Sequence, residues 1–156
     1  MDRIEKTVMV IAIVLLVVFF GAIVVAATNY GVDVPTCVTD RKPFVESAPP
    51  FKTSDQPLRY EVHTVARMWM FDPPEITLPP GAEVDFYLSS ADVVHGFHVE
   101  GTNINLMAVP GAVTYARLKF DREGTYRVLC HEYCGTAHHL MAGTIVVSHT
   151  AMEGEQ

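Results

Sequence analysis

The sequence predicts an all-β domain, an antiparallel sandwich or barrel, carried behind one membrane-spanning helix. Three observations lead there. An uninterrupted apolar run lies near the amino terminus, short alternating runs bounded by Gly and Pro fill the carboxy-terminal part, and no segment after Ala27 sustains an amphipathic helical period. The 156 residues hold one domain of ordinary size and exclude two large ones. With 49% hydrophobic and 19% charged residues the chain is too apolar to be disordered, and its mean hydropathy of +0.22 is high for a purely soluble domain. The net charge of -7 sets 18 acidic against 11 basic side chains, so a phosphate backbone would meet repulsion and nucleic acid is excluded as a partner. Three cysteines cannot all pair within the chain and are too few for a disulfide scaffold.

The apolar run is Val8 to Ala27, VMVIAIVLLVVFFGAIVVAA, without a charged side chain. As a helix it spans about 30 Å, the hydrocarbon thickness of a bilayer. A cleaved signal peptide has an apolar core of about 7 to 15 residues and a small-residue cleavage site. The run is longer and no such site follows, so residues 1–28 are expected to form an uncleaved anchor in the lipid bilayer. Arg3 and Lys6 precede the run, while Arg41 and Lys42 are the first cations after it. That asymmetry predicts an inside amino terminus and a single-pass protein of the cell membrane whose carboxy-terminal domain lies on the outer side, periplasmic or extracellular.

Residues 29–57 are rich in Pro, Asp, Ser and Lys, and read as an extended tether with no regular element, since proline removes backbone donors. Strands are expected at Leu58–Val65, where Tyr60, Val62 and Thr64 alternate with Glu61 and His63, and at Glu83–Leu88 after the turn Pro79-Pro80-Gly81. Thr114–Phe120 and Thr125–Leu129 flank the turn Asp121-Arg122-Glu123-Gly124, and Thr144–Val147 follows Gly143. The folded domain is therefore placed at 58–150, with 151–156 as a tail.

The chemistry is concentrated in Cys130-His131-Glu132-Tyr133-Cys134-Gly135-Thr136-Ala137-His138-His139-Leu140-Met141. Two thiols, three imidazoles and a thioether occur between two strands. Soft sulfur beside imidazole suits copper above the other first-row metals. A mononuclear blue-copper site needs one thiolate, and here there are two. Two thiolates four residues apart can bridge a pair of coppers, with His138 and Met141 as further donors and one more imidazole supplied from elsewhere. The candidates are His95 and His98, and an offset of three in an extended segment puts them on opposite faces, so one of them can reach the loop.

The motif C-H-E-Y-C-G-x-x-H-x-x-M, preceded by D-V-V-H-G-F-H-V-E-G-T-N-I-N and followed by G-T-I-V-V, resembles subunit II of a haem-copper cytochrome oxidase with its binuclear copper A centre. The likeness runs from about Tyr60 to Val147. It implies a cupredoxin-like Greek-key sandwich. It further implies copper ligation by His95, Cys130, Cys134, His138, Met141 and the backbone carbonyl of Glu132. The run around His98 and the single anchor are similar to the B-type oxidases. Glu132 instead resembles the A-type, where that carboxylate binds magnesium at the boundary with subunit I, and a magnesium role for Glu132 stays open. The resemblance also makes Trp69 the entry point for electrons from cytochrome c, where composition alone favours a packed aromatic. The outer part of the chain, with 16 acidic against 9 basic residues after Thr28, would steer a basic donor.

The function so implied is relay of electrons from cytochrome c, or a similar small donor, to a haem-containing catalytic subunit I that reduces oxygen. The subunit's own metal site has no open ligand position. The same ligands would serve the copper A subunit of a nitric oxide reductase, and a membrane-anchored copper storage or delivery protein is the alternative from another class. A quinol oxidase subunit is disfavoured by the intact ligand set. Structural zinc has no use for a thioether, and a Cys130–Cys134 disulfide would be a state of the copper-free chain. His98, His131 and His139 are expected at the surface or behind the ligands, His63 and His149 carry no signal, and Cys37 reads as an incidental thiol.

Overall fold

The computed structural model describes residues 2–29, 36–53 and 57–149, with the backbone alone described at 50–52. The chain forms two compact units, Met1–Asp33 and Val34–Gln156. The first is the helix α1, Arg3–Asn29, apolar enough to cross a membrane. It begins before the apolar run because Asp2 and Glu5 cap each other reciprocally. The Asp2 amide donates to the Glu5 carboxylate at 2.8 Å and the Glu5 amide to the Asp2 carboxylate at 2.9 Å, which satisfies amides that the first turn leaves without partners.

Among the described residues the second unit has eleven strands: β1 Thr36–Val38, β2 Ala48–Lys52, β3 Arg59–Arg67, β4 Met70–Asp72, β5 Glu75–Leu78, β6 Ala82–Ser90, β7 His95–Val99, β8 Asn105–Ala108, β9 Val113–Phe120, β10 Gly124–Leu129 and β11 Ala142–Val147. One sheet runs β1-β9-β6-β3-β2, with β4 also paired to β3, and the other runs β5-β11-β10-β7-β8. Alternation explains the layers. Val62, Val84, Phe86 and Leu88 from the first sheet and Phe97, Val99, Leu106, Val128 and Ile145 from the second are buried in one core, where the Phe86 and Phe97 rings lie 6.0 Å apart.

The structure corrects the sequence reading in two places. The stretch read as a tether without regular structure holds β1, paired to β9, and β2, paired to β3, both at sheet edges, and Pro49-Pro50 of β2 fall where its register with β3 shifts, which takes their missing amides out of the ladder. Between these strands Arg41 lies 3.8 Å from the centre of the Tyr87 ring and Phe44 packs against His63, so this segment covers the outward face of the first sheet. The pairing is also not purely antiparallel, because β3 with β6 and β5 with β11 are parallel. The tail at 151–156 lies outside the described residues.

Under the covering segment Asp85 is nearly buried. It accepts hydrogen bonds from Arg59 at 2.7 Å, Arg117 at 2.7 Å and the Tyr115 hydroxyl at 2.6 Å. Burial raises its pKa, but these three donors outweigh it and hold the carboxyl below its ordinary value.

Candidate metal centre

Three elements converge at one end of the sandwich. The first is β7. Its alternation turns His95, Phe97 and Val99 into the core and leaves Gly96 and His98 on the other face, so the offset of three separates the two histidines as the sequence implies. The second is the loop from Cys130 to Met141, which joins β10 to β11. The Leu129↔Ala142 pair and a bond from the Cys130 amide to the Met141 carbonyl at 3.3 Å close its base, and a 3-10 turn at His138–Leu140 brings its end back. The third is the tip between β3 and β4, Met68-Trp69.

His95, Cys130 and Cys134 each place a ligand atom within 4.8 Å of the others. The two Sγ atoms lie 3.7 Å apart as free thiols. Cys134 Sγ is also 3.5 Å from His138 Nδ1 and 3.8 Å from Met141 Sδ, and the Cys130 thiol donates to the Glu132 carbonyl at 3.2 Å. All six positions named from the sequence therefore meet around two sulfurs. Burial and then the neighbouring Cys130 thiol push the Cys134 thiol up to about 11.

Two residues without an assigned role in the sequence reading hold this arrangement. Asp92 Oδ1 lies 2.7 Å from His95 Nε2, while Asp92 Oδ2 accepts the Met68 amide at 2.7 Å, which ties the β3–β4 tip to the imidazole. Burial raises the Asp92 pKa, but the His95 contact and the Met68 and Val93 amides outweigh it and leave the carboxyl below its usual value. A carboxylate three residues before a candidate histidine was the signal available in the sequence. Gly135 is the second. Its φ of +118° suits glycine alone, and a Cβ there would stand 3.2 Å from the Trp69 indole nitrogen. The indole donates to the Cys134 carbonyl at 3.2 Å, and the ring is 40% exposed. Met68 and Met70 are themselves exposed, so Trp69 rests on the loop rather than in a methionine-packed core.

The remaining histidines fall outside this cluster. His98 faces away from it, His131 lies 3.7 Å from the Glu132 carboxylate, and His139 is exposed. His63 sits with Glu61 under Arg41, and His149 lies near Glu123.

The donor set fits copper. His95 is fully buried, its Nε2 is taken by Asp92, and its Nδ1 has no hydrogen-bond partner. A buried nitrogen left so costs about 1–3 kcal/mol unless something accepts its lone pair. Beside it stand two thiols and a thioether, the softest donors a protein offers, and tetrahedral zinc would use only part of the set.

A two-sheet strand domain with such a loop between adjacent strands defines a cupredoxin-like metal-binding protein. The family model described as cytochrome c oxidase subunit II, periplasmic domain, matches residues 60–150. Cytochrome c oxidase subunit 2 of Thermus thermophilus is 44% identical over 113 residues, covering 72% of this chain and 83% of that one. An alternative cytochrome c oxidase subunit 2 of Bradyrhizobium diazoefficiens is 41% identical over 73 residues, 47% of this chain and 26% of its own. Among solved structures, a chain of a haem-copper terminal oxidase dimer superposes with TM-score 0.83 at 50% identity, covering 94% of this chain and 100% of that chain. The periplasmic domain of subunit II of the Bradyrhizobium japonicum cytochrome oxidase gives TM-score 0.55 at 18% identity over 60% of this chain and 88% of its own, and shares the fold. The chain belongs to the cytochrome c oxidase subunit II family. As such it is part of an oxidoreductase, and the family implies a copper site. Membership favours the oxidase reading over a nitric oxide reductase subunit or a copper store.

Proposed function

We propose that the chain is the electron-entry subunit of a B-type haem-copper terminal oxidase, working beside its catalytic subunit I and taking electrons from cytochrome c. Residues 1–28 anchor it, and the copper domain on the outer side of the membrane, the side favoured by Arg3 and Lys6 before the span, is made by 58–150 together with the edge strands β1 and β2 that the preceding stretch contributes. His95, Cys130, the Glu132 carbonyl, Cys134, His138 and Met141 would hold a binuclear copper centre. The single anchor helix among the described residues and the H-G-F-H-V-E-G-T-N-I-N run support the B-type reading.

The observation that carries this reading is the unpartnered, buried His95 Nδ1 beside two thiols 3.7 Å apart. When bound, a binuclear copper centre held by these residues would supply one-electron transfer. The chain's own residues do the rest. Asp92 takes the Nε2 proton of His95 in a hydrogen bond, which fixes the tautomer and leaves the Nδ1 lone pair aimed inward. Cys134 and Met141, 5% and 2% exposed, keep water from the donors. Trp69 presents a ring to solvent on one side and a hydrogen bond to the Cys134 peptide on the other, which makes it the electron entrance. The Glu132 carboxylate is 46% exposed while its carbonyl faces Cys130, an arrangement compatible with magnesium held between subunits.

The test is paramagnetic resonance of the copper-loaded chain with a metal count. Two coppers per chain and hyperfine structure from two equivalent nuclei are expected; one copper with a single-nucleus pattern would overturn the binuclear reading.

A further inference from the structure

The outward face of β7 and β8 carries a second group of soft and borderline donors. In the antiparallel register His98 is opposite Asn105 and Gly96 is opposite Met107, and facing residues in such a pair project to the same side. His98, Met107 and the open side of Gly96 therefore share one surface. His131 completes it. A Cβ on Gly96 would stand 2.6 Å from the His131 ring, so the glycine leaves the space that the imidazole fills. The His98 and His131 rings are 6.5 Å apart, and Met107 keeps its thioether side chain 44% exposed.

The neighbours of both imidazoles favour the tautomer common among metal-ligating histidines. His98 Nδ1 is 3.0 Å from the Ile104 carbonyl, so Nδ1 carries the proton and Nε2 the lone pair. His131 Nδ1 is 3.7 Å from a Glu132 carboxylate oxygen, which favours the same tautomer. Metal–nitrogen bonds of about 2.0–2.1 Å, with ring centres about 1.2 Å behind the nitrogens, allow two imidazoles on one ion at most about 6.4–6.6 Å between centres, with the nitrogens opposite each other. The observed 6.5 Å stands at that limit, so binding that includes the thioether requires the two rings to draw closer, a movement for which His131 lies at the surface. Two imidazoles with a thioether suit Cu(I), the softest of the common ions.

We propose that His98, Met107 and His131 form a surface Cu(I) site that feeds the thiol loop, a role that rests on the copper reading of that loop. His131 precedes Glu132 and follows Cys130 directly, and His98 pairs with Leu129, so an ion held here lies one residue along the chain from the first thiol.

Binding is tested on the full chain in detergent with Cys130→Ser and Cys134→Ser, its methionines labelled at the methyl carbon, with Cu(I) delivered from a bicinchoninate complex. The Met107 methyl resonance should move within the first two equivalents, and either His98→Gln or His131→Asn should weaken that response at least tenfold. A stationary Met107 methyl, a response unchanged by both substitutions, or a response to Zn2+ and not to Cu(I) overturns the site. Feeding is tested with both thiols present. At limiting Cu(I), His131→Asn and Met107→Leu should fill the loop several-fold more slowly yet reach the parental copper content, and equal rates overturn the feeding role. A loop that never takes copper while Met107 still responds would instead defeat the reading of the loop.

Discussion

Replacing Asp92 tests whether the centre is built in advance of its metal. In Asp92→Ala the His95 Nε2 proton loses its acceptor in a residue with 0% exposure, a loss of about 1–3 kcal/mol for a buried donor. The Met68 and Val93 amides lose the same carboxylate, but Met68 and Val93 are exposed and water replaces the bond at small cost. The apo chain should therefore lose about 2 kcal/mol in urea unfolding. The imidazole also becomes free to turn or to change tautomer. Removing such an outer partner typically lowers metal affinity 10–100-fold, about 1.4–2.7 kcal/mol. Asp92→Asn separates the two effects, because the amide oxygen still accepts the proton while the charge is gone. It should keep most of the stability and still lose copper affinity, read by competition with a chelator of known strength. Val93→Ala, next to Asp92 but without a side-chain bond to His95, is the control. If Asp92→Ala holds copper as tightly as Val93→Ala does, the carboxylate does not position His95 and the preorganisation argument fails.

Four further outcomes follow from the same geometry. Trp69→Ala should load two coppers with an unchanged absorption spectrum yet take electrons from reduced cytochrome c far more slowly in stopped flow; parental rates at every donor concentration would make Trp69 a packed aromatic only. His95→Ala and His138→Ala should each abolish the shared-electron spectrum while His139→Ala and His131→Ala keep it once fully loaded, and equal damage from all four would show a wrong ligand set. Gly135→Ala should cost about 1–3 kcal/mol for its left-handed φ, with a smaller loss in a Trp69→Ala background where the indole no longer opposes the new Cβ; urea unfolding of the double variant measures this. Asp85→Asn should cost about 3 kcal/mol at neutral pH, the low end for a broken buried pair because Arg117 is 37% exposed. Since the folded pKa of Asp85 is depressed, its contribution is full above about pH 4 and is lost as pH falls through the folded value, so parent and variant curves should converge in acid.

Much of the sandwich is legible because parts of its long strands alternate, most clearly the first half of β3. Tyr60, Val62 and Thr64 against Glu61 and His63 in β3 is a period-two signal that the structure turns into one buried and one covered face. The short strands are not legible in this way. β4 has three residues and β5 has four, too few for a period, and β5 stands between Pro74 and Pro79, which mark turns. The segment read as a tether misleads for a different reason. Its prolines do exclude regular interior pairing, but Pro49-Pro50 sit at a register shift of an edge strand, and what orders the segment is partners far along the chain: Tyr115 for Thr36, Glu61 and Tyr87 for Arg41. Parallel pairing of β3 with β6 is equally invisible, since alternation sets the face of a strand and not its direction.

The donor set reads more easily than its support, and the difference is one of sequence distance. Five of the six positions lie within twelve residues, where spacing alone limits what can meet one metal pair; for the sixth, alternation says only that one of His95 and His98 can reach the loop, and the family resemblance is what points to His95. The supporting contacts join elements that only the folded topology brings together: Trp69 bonds Cys134 across 65 positions, and Met68 bonds Asp92 across 24. Gly135 and Gly96 show the same limit from the opposite side. Gly96 leaves the place of its Cβ to the His131 ring, and Gly135 combines a left-handed φ with the close approach of the Trp69 indole. A glycine in a sequence signals that space or φ is needed, not which side chain fills it. That identity decides the chemistry proposed for each place, an electron entrance for the indole over Gly135 and a metal ligand for the imidazole over Gly96.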